Sequence, residues 1–163
     1  MQKGFSLSEI LVSVAIIGIL SGIGIQAFVS SRQRAKLEED VAKVVQALRK
    51  AQNSALAPSR SETGIATGST LCAIGVKITS STSARTIQPI YQTGTTSCSG
   101  ENNYGTATTL NHASINANRV ITFNIPFAET SGSGGRVELS IDNGGNSISK
   151  TIEVTNTGLI QVE

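Results

Sequence analysis

One long apolar segment dominates the hydrophobic pattern of this chain. Between residues 5 and 29 the only charged residue is Glu9, and residues 10–20 are almost continuously aliphatic. A helix of about 25 residues, with a rise of 1.5 Å per residue, is roughly 37 Å long, which is enough to cross a hydrocarbon layer of ~30 Å with some tilt. We therefore predict that residues 5–29 form a transmembrane helix.

An amphipathic pattern follows this segment directly. Residues 32–40 are rich in charged helix formers, and neither Gly nor Pro occurs between Val29 and Pro58. Apolar residues recur at spacings of three and four, which places them on one side of a helix. The helix is therefore predicted to continue through residues 30–57. Its apolar stripe, expected to carry the rest of the chain, consists of Leu37, Val41, Val44, Val45, Leu48, Ala51 and Ala55.

The pattern of residues 58–163 predicts a β-rich globular head. This segment is rich in Ser, Thr, Gly and Asn and contains short β-branched runs, which is typical of strands joined by turns. Residues 142–145 predict a hairpin turn because Asn and Gly tolerate positive φ, and residues 94–107 and 129–135 are predicted loops. The fold class is therefore α+β, with the long N-terminal helix packed against an antiparallel β-sheet. The candidate strands are 71–79, 85–92, 119–126, 136–142, 147–155 and 159–162.

Composition narrows the possible functions. The net charge of +2 and the charged fraction of 15% are far from the basic excess typical of a nucleic-acid surface. His112 is the only histidine, no potential nucleophile or base has a motif context, and Asp142 is the one acid in its Asn- and Gly-rich turn. We therefore predict no enzymatic activity, no cofactor and no metal site.

The chain has two cysteines, Cys72 and Cys98. No CxxC pair or His cluster accompanies them, so the pattern does not indicate metal ligation. A disulfide is favoured, and two free buried thiols are the alternative. If the head lies outside the cytoplasm, such a bridge stabilises it by roughly 3 to 4 kcal/mol through loop constraint.

Two ordinary interpretations of an apolar N-terminus leave Glu9 unexplained. A cleaved secretory signal peptide has a shorter apolar stretch, of roughly 7 to 15 residues. A plain signal anchor fits the length, and Lys3 before it would keep its start in the cytoplasm. Neither explains an acid within the segment, which costs on the order of 2.5 kcal/mol in a bilayer. An intramembrane acid therefore indicates a function.

The residues around Glu9 resemble a known signature. Lys3, Gly4, Phe5, Ser6 and Leu7, followed by Glu9 and an aliphatic run, are similar to the N-terminal motif of type IV prepilins. The resemblance implies that a membrane peptidase removes residues 1–4 as a leader, cutting between Gly4 and Phe5, and methylates the new amine of Phe5. A residue without Cβ lets the backbone approach a catalytic group closely, which suits Gly4 to this position.

The resemblance also implies how the chain acts. The Glu9 carboxylate would pair with the N-terminal amine of a neighbouring subunit, offsetting the desolvation of both charges and setting docking and register. The implied partners are other pilin subunits, the prepilin peptidase, an inner-membrane assembly platform and a cytoplasmic ATPase. The chain would first cross the inner membrane once, with its head outside the cytoplasm, and then enter a pilus or a periplasmic pseudopilus. Before assembly, Arg32, Arg34 and Lys36 could contact lipid headgroups or simply stop insertion.

The segment departs from the common prepilin pattern at two positions. Ser8 stands where an aliphatic residue is usual, and Gln26 stands near the place where many pilins have a Pro that loosens the helix. Two explanations for nearby small residues remain open. They could loosen the helix instead, or they could let neighbouring helices pack closely; they are Gly18, Gly22 and Gly24.

The end of the chain resembles a narrower group, the minor pilins and pseudopilins of the H type. An aromatic strand at residues 120–124 is followed by a Gly-rich loop at 132–135, a strand at 136–141 and a closing Thr-Gly turn within 152–158. The resemblance implies a minor subunit. Alternatives are a major pilin and a minor pilin that binds DNA through its head during uptake. The basic residues available for DNA are scattered along the chain: Arg60, Lys77, Arg85, Arg119, Arg136 and Lys150.

Overall fold

The computed structural model describes residues 6–58, 70–81, 85–94, 98–130, 134–143 and 145–163, and the side chains of 23–27, 99, 143 and 146 are not described. The chain divides into two compact units, an N-terminal unit of Met1–Ala35 and a C-terminal unit of Lys36–Glu163. Helix α1, Leu7–Leu56, contributes residues to both units. The predicted leader, residues 1–4, and Phe5 lie outside the described residues.

The N-terminal unit consists of the first part of α1. Its first turn forms through backbone N–H groups of Glu9 and Ile10, which donate to the carbonyl of Ser6 at 3.0 and 3.3 Å. The Ser13 and Ser21 hydroxyls donate to carbonyls four residues earlier, at 2.7 Å each, so neither polar side chain is left unbonded in an apolar helix. Within the described part of the chain, no helix reaches the length and hydropathy required to cross a membrane.

The C-terminal unit begins with the amphipathic half of α1. The predicted apolar stripe is confirmed: Val45 is half-buried and the other six members are buried in one core shared with the strands. This core is mainly aliphatic, as the composition predicts, and its largest buried side chain is Phe123. Asp40 is also fully buried, although it is not a member of the predicted apolar stripe.

Nine strands complete the described part of this unit, and they form two antiparallel sheets. In the first sheet the strand order is β3-β2-β1-β6, with β4 also paired to β2; in the second the order is β5-β7-β8-β9. The α+β class is confirmed, with two sheets in place of the expected one. The strands are β1 Leu71–Ser80, β2 Arg85–Thr93, β3 Ser99–Asn103, β4 Thr108–Thr109, β5 Ser114–Ile115, β6 Arg119–Asn124, β7 Gly135–Asn143, β8 Asn146–Val154 and β9 Ile160–Val162.

All six candidate strand segments are confirmed, with small differences at their ends. The predicted hairpin turn at residues 142–145 is confirmed as well: β7 and β8 pair in register as far as Asn143 and Asn146, and Gly145 has a φ of 124°. The predicted loop at residues 94–107 is wrong, because it contains β3. The sequence of β3 alternates no apolar residues; the strand forms through backbone pairing with β2.

Strands β1 and β6 of the first sheet approach closely at Gly75 in the middle of β1. A Cβ at this position would lie within 3 Å of the backbone of Ile121 and Thr122 in β6. No side chain can be accommodated there without moving the strand, so glycine is required for the β1–β6 pairing.

The cysteines form a disulfide between Cys72 in β1 and Cys98 just before β3, with a Cα–Cα distance of 5.9 Å. The bridge joins β1 to the residue before β3, and these two strands each pair with β2 and do not pair with each other. The predicted pairing is therefore present, and the alternative of two free thiols is wrong for this structure.

Removing the bridge should destabilise the C-terminal unit. For a separation of 26 residues, loop-closure entropy predicts a loss of about 3 kcal/mol when Cys72 and Cys98 are both replaced by Ser. Denaturant unfolding of the oxidised wild type, the reduced wild type and the double variant measures this loss. The reduced wild type should match the variant; equal stability of all three would show that the bridge contributes nothing.

Candidate assembly surface

The first turn of α1 places the only charged side chain of residues 6–31. Glu9 lies two residues after Leu7, the first residue of the helix, where a negative charge is favoured by the N–H groups that have no partner within the helix. The Ser6 and Ser8 hydroxyls lie 2.9 Å apart beside it. No described cation forms an ion pair with the Glu9 carboxylate. The acid is therefore available to a partner outside the described chain.

The side chains that follow Glu9 form a bare apolar surface. Large aliphatic residues are exposed at consecutive and alternate positions, so they surround the helix and do not form a single stripe. A helix that is apolar all round is typical of a protein core or a membrane. Exposed fractions range from 42% to 78% for Leu7, Ile10, Leu11, Val12, Val14, Ile16, Ile17, Ile19, Leu20, Phe28 and Val29.

Two of the glycines in this surface are open. A Cβ at Gly18 or Gly22 would meet nothing within 4 Å. Neither glycine is therefore required by packing within the N-terminal unit, which leaves helix loosening and packing against another helix as the two explanations. The side chain of Gln26 and the surroundings of Gly24 lie outside the described residues.

A buried carboxylate anchors the second half of α1 within the C-terminal unit. The Oδ2 atom of Asp40 accepts hydrogen bonds from the backbone N–H groups of His112 and Ala113, both at 2.8 Å. The Oδ1 atom accepts one from the Lys43 ammonium at 3.2 Å. On the other side of the same peptide segment, the Arg85 guanidinium donates to the Ala113 carbonyl at 2.9 Å. The segment between β4 and β5 is thus held between a helix carboxylate and a cation of β2.

These contacts determine the ionisation of Asp40. Burial, the largest single influence, raises its pKa, but the hydrogen bonds from Ala113, His112 and Lys43 together outweigh burial, so the pKa of Asp40 is lowered. The carboxylate is therefore charged under ordinary conditions, and it is stabilised by three donors. A hydrogen bond to a charged group contributes roughly 1.5 to 3 kcal/mol.

Neighbouring charges extend this cluster to the surface. The Lys43 ammonium donates to the Glu39 carboxylate at 2.8 Å, and that hydrogen bond lowers the pKa of Glu39 and raises the pKa of Lys43. The imidazole Nε2 of His112 lies 3.9 Å from Glu39. His112 is half-buried in the connection between β4 and β5, and its backbone makes the contact with Asp40.

The sequence pattern did not reveal Asp40 as an anchor. An acid at a helix position beside an apolar stripe is usually solvated, and the two amides that it binds lie more than 70 positions further along the chain. A faint signal exists, since Asp40 lies one turn from Leu37 and Val44 on the buried side. The described residues contain no group of three or more His, Cys, Asp or Glu that could hold a metal ion.

Comparison with known proteins identifies only the start of the chain. Residues 1–25 match a family model described as the prokaryotic N-terminal methylation motif. No curated protein and no solved structure matches the chain. The match covers Gly4, Phe5 and Glu9 together with much of the apolar surface.

Removing the Asp40 carboxylate should destabilise the C-terminal unit and change its acid response. Asp40→Ala leaves two backbone amides without their acceptor, which should cost roughly 3 kcal/mol at neutral pH. The pKa of Asp40 in the folded chain is lower than its unfolded value of roughly 4. The stability that the Asp40 carboxylate contributes is therefore present above about pH 4 and is lost as the pH falls through the folded pKa. Asp40→Asn should therefore flatten the loss of stability below about pH 4.

Denaturant unfolding between acidic and neutral pH measures both effects. Glu39→Ala is the matched control, because it removes the neighbouring exposed acid, and it should remain close to the wild type. Equal stability of Asp40→Ala and Glu39→Ala at neutral pH would contradict the anchoring role of Asp40.

Proposed function

We propose that this chain, which carries in residues 1–25 the prepilin-type signature of type IV pilins and pseudopilins, is a structural subunit of a type IV filament. That signature is the observation on which the proposal depends. It implies processing by a prepilin peptidase, membrane anchoring and assembly with other pilin subunits, and it points to a structural subunit and not to an enzyme. The bare apolar surface around α1 supports the proposal, because such a surface requires another apolar environment.

Processing would convert the start of the chain into an assembly element. The peptidase would cut between Gly4 and Phe5, remove residues 1–4 and methylate the amine of Phe5. The motif match includes both residues. The new amine would then lie one helical turn before Glu9, so that each subunit would carry a cation and an anion close together at the same end.

Membrane and filament would be successive environments for the same surface. Residues 5–29 would lie in the inner membrane as a single span, with residues 58–163 as a head outside the cytoplasm and residues 30–57 connecting the two. An assembly platform and a cytoplasmic ATPase would then extract the subunit, and its apolar surface would pack among the helices of neighbouring subunits. Both environments bury the exposed aliphatic side chains, for which area removed from water is the driving force.

Glu9 would direct this transfer. An acid buried among apolar helices without a partner is costly, and pairing with the methylated amine of the neighbouring subunit would offset the desolvation of both groups. The lack of a described ion-pair partner for Glu9 within its own chain supports an intermolecular role. Because only one axial position brings the two charges together, the pair would also select the register between subunits.

The subtype that we propose is a minor pilin or pseudopilin. The support is the likeness of the ending to the H group, whose strand, loop, strand pair and Thr-Gly turn correspond to β6, β7, β8 and the turn at Gly158. In this structure the turn also contacts α1, because the Gln52 side-chain amide donates to the Gly158 carbonyl at 2.9 Å. A major pilin is the alternative, and abundance in the filament distinguishes the two.

Replacing Glu9 should impair assembly without impairing insertion. Glu9→Ala and Glu9→Gln both remove the charge, and Glu9→Gln keeps the volume, so we expect each to reduce incorporation by about tenfold or more, the effect of 1.4 kcal/mol. The measurement is the ratio of the chain in sheared filaments to the chain in membranes, by quantitative immunoblot of native cells.

The matched control is Glu38→Ala, which removes an exposed acid from the second half of the same helix. It should leave the ratio close to that of the wild type. Normal incorporation of both Glu9 variants would sink the docking role of Glu9. Loss of both variants from the membrane fraction would instead assign Glu9 to insertion or stability.

A second candidate function is DNA binding by the head, and one observation favours it. Arg119 and Arg136, distant in sequence, line one groove of about 440 Å³, together with Asn118 and Glu153. Both arginines are exposed, and neither forms an ion pair with a described residue. Of the other basic residues, Lys77 and Lys150 pair with Glu101 and Glu38, Arg85 bonds to the backbone, and Arg60 lies outside the described residues.

Binding of duplex DNA by the detergent-solubilised chain tests this candidate. Contacts with phosphate release counterions, so binding through the groove should weaken steeply between about 50 and 200 mM salt and should be reduced by replacing Arg119 and Arg136 with Ala. Arg49→Ala is the control, because this exposed arginine lies on α1 away from that groove. Absence of a mobility shift at low salt would rule the candidate out.

A further inference from the structure

The turn after β6 presents an aromatic side chain to solvent. Phe127 is 76% exposed, the most exposed of the large apolar residues described in the C-terminal unit. Glu129, two positions later, is exposed as well, and it forms no ion pair with a described residue. We call residues 126–129 the Phe127 turn. Exposed aromatic side chains are of the kind enriched in protein–protein interfaces, and the neighbouring carboxylate gives this turn a negative charge.

The Phe127 turn is held rigidly by its backbone. The Asn124 carbonyl accepts from the N–H of Ala128 at 2.8 Å, and the Asn124 N–H donates to the carbonyl of Glu129 at 2.7 Å. Between the two exposed side chains, Ala128 is buried, with a φ of 53°. Because the turn is already ordered, little conformational entropy would be lost when Phe127 enters a partner.

A groove with matching properties lies between the second half of α1 and β2. It has a volume of about 270 Å³, below the roughly 300 to 1,000 Å³ usual for drug-sized ligands and suited to one large side chain. Ala47, Ala51, Ile87 and Pro89 provide its apolar lining, with Tyr104 beside them. We call this the α1–β2 groove.

The charge at the rim of the α1–β2 groove is positive. Lys43 and Lys50, two turns apart on α1, both line it. Lys43 is held by Glu39 and Asp40, whereas Lys50 is exposed and forms no ion pair with a described residue. An apolar floor with an available ammonium group at its edge is complementary to an aromatic side chain accompanied by a carboxylate.

The two surfaces lie on opposite sides of β1 in the first sheet. The Phe127 turn follows β6, the strand at one end of the order β3-β2-β1-β6, and the α1–β2 groove is lined by residues of β2, of β4 and of the segment between β3 and β4. A turn on one side that fits a groove on the other makes a heterologous contact, and contacts of this type generate open helical filaments unless they close into a ring.

We propose that the Phe127 turn of one copy of this chain docks into the α1–β2 groove of the next copy, with Phe127 on the apolar floor and Glu129 paired to Lys50. The inference rests on the proposed function as a filament subunit and adds a head-to-head contact to the helix packing. The contact requires two copies of this chain to be neighbours. A minor subunit meets this requirement only where its copies cluster in the filament.

Photo-cross-linking of the full-length chain in native cells tests the contact. The photoreactive residue p-benzoylphenylalanine, in place of Phe127, should yield a species of twice the chain mass in sheared filaments. Peptide mass spectrometry should map the bond to residues 43–51 or 104–108 of the second copy. The same group in place of Leu159, which is also exposed, is the control position and should not react with this groove.

A charge exchange tests the Glu129–Lys50 pair. Glu129→Lys and Lys50→Glu should each lower the yield of the cross-link by roughly two- to fivefold, the range expected for an exposed pair, and the double variant should recover it. Glu163→Lys reverses an exposed acid elsewhere and should leave the yield unchanged.

The outcomes separate this inference from the proposed function. Cross-links from position 127 that map only to a different subunit, to lipid or to another face of this chain would overturn the self-docking contact while leaving the filament role intact. If the double variant recovers neither the yield of the cross-link nor its mapped position, the Glu129–Lys50 ion pair is overturned. Absence of the wild-type chain from filaments would overturn both proposals together.

Discussion

The first half of α1 exposes an apolar surface that is not buried within its own unit, and the proposed function depends on this constraint. Nearly every large side chain from Leu7 to Val29 that the structure describes is open to solvent, and an apolar area of this kind is strongly unfavourable in water. No packing within the N-terminal unit relieves it. In the function that we propose, lipid and then the helices of other subunits cover this surface, and the same side chains are buried in both environments.

The second half of α1 solves a different problem, because it belongs to a unit with a complete core of its own. Its apolar stripe packs with strands of both sheets, and Asp40 adds an ionic anchor to the segment between them. The combination is specific in a way that apolar packing alone is not. Apolar contacts have little directionality, whereas the carboxylate accepts its hydrogen bonds only when it lies within reach of the two backbone amides.

Much of this architecture follows from the sequence, for identifiable reasons. The stripe from Leu37 to Ala55 repeats with the helical period, and strands such as β1 and β7 contain alternating apolar residues, so both kinds of element could be predicted. Strand β3 could not, because Ser, Gly, Glu and Asn carry no alternating signal and the pairing is made by the backbone. The division into two sheets was also missed, since it depends on which strands become neighbours.

The candidate functional residues show the same division. Glu9 is conspicuous because a lone acid interrupts an apolar run, and the motif around it is local in sequence. Other candidates depend on residues that are far apart in the chain and meet only through the fold: the contacts of Asp40, the α1–β2 groove, and the groove that Arg119 and Arg136 both line. Local motifs are therefore readable from the sequence, and surfaces assembled from several elements require the structure.

The central claim is that this chain is processed and assembled as a filament subunit, and the most direct measurement is mass spectrometry of its N-terminal peptide in sheared filaments from native cells. We expect a peptide that begins at Phe5 and carries a methylated amine, and its abundance relative to the other subunits assigns the chain as minor or major. A chain found only in membranes, with Met1 to Gly4 still attached, would contradict the claim and leave a plain membrane anchor as the better interpretation.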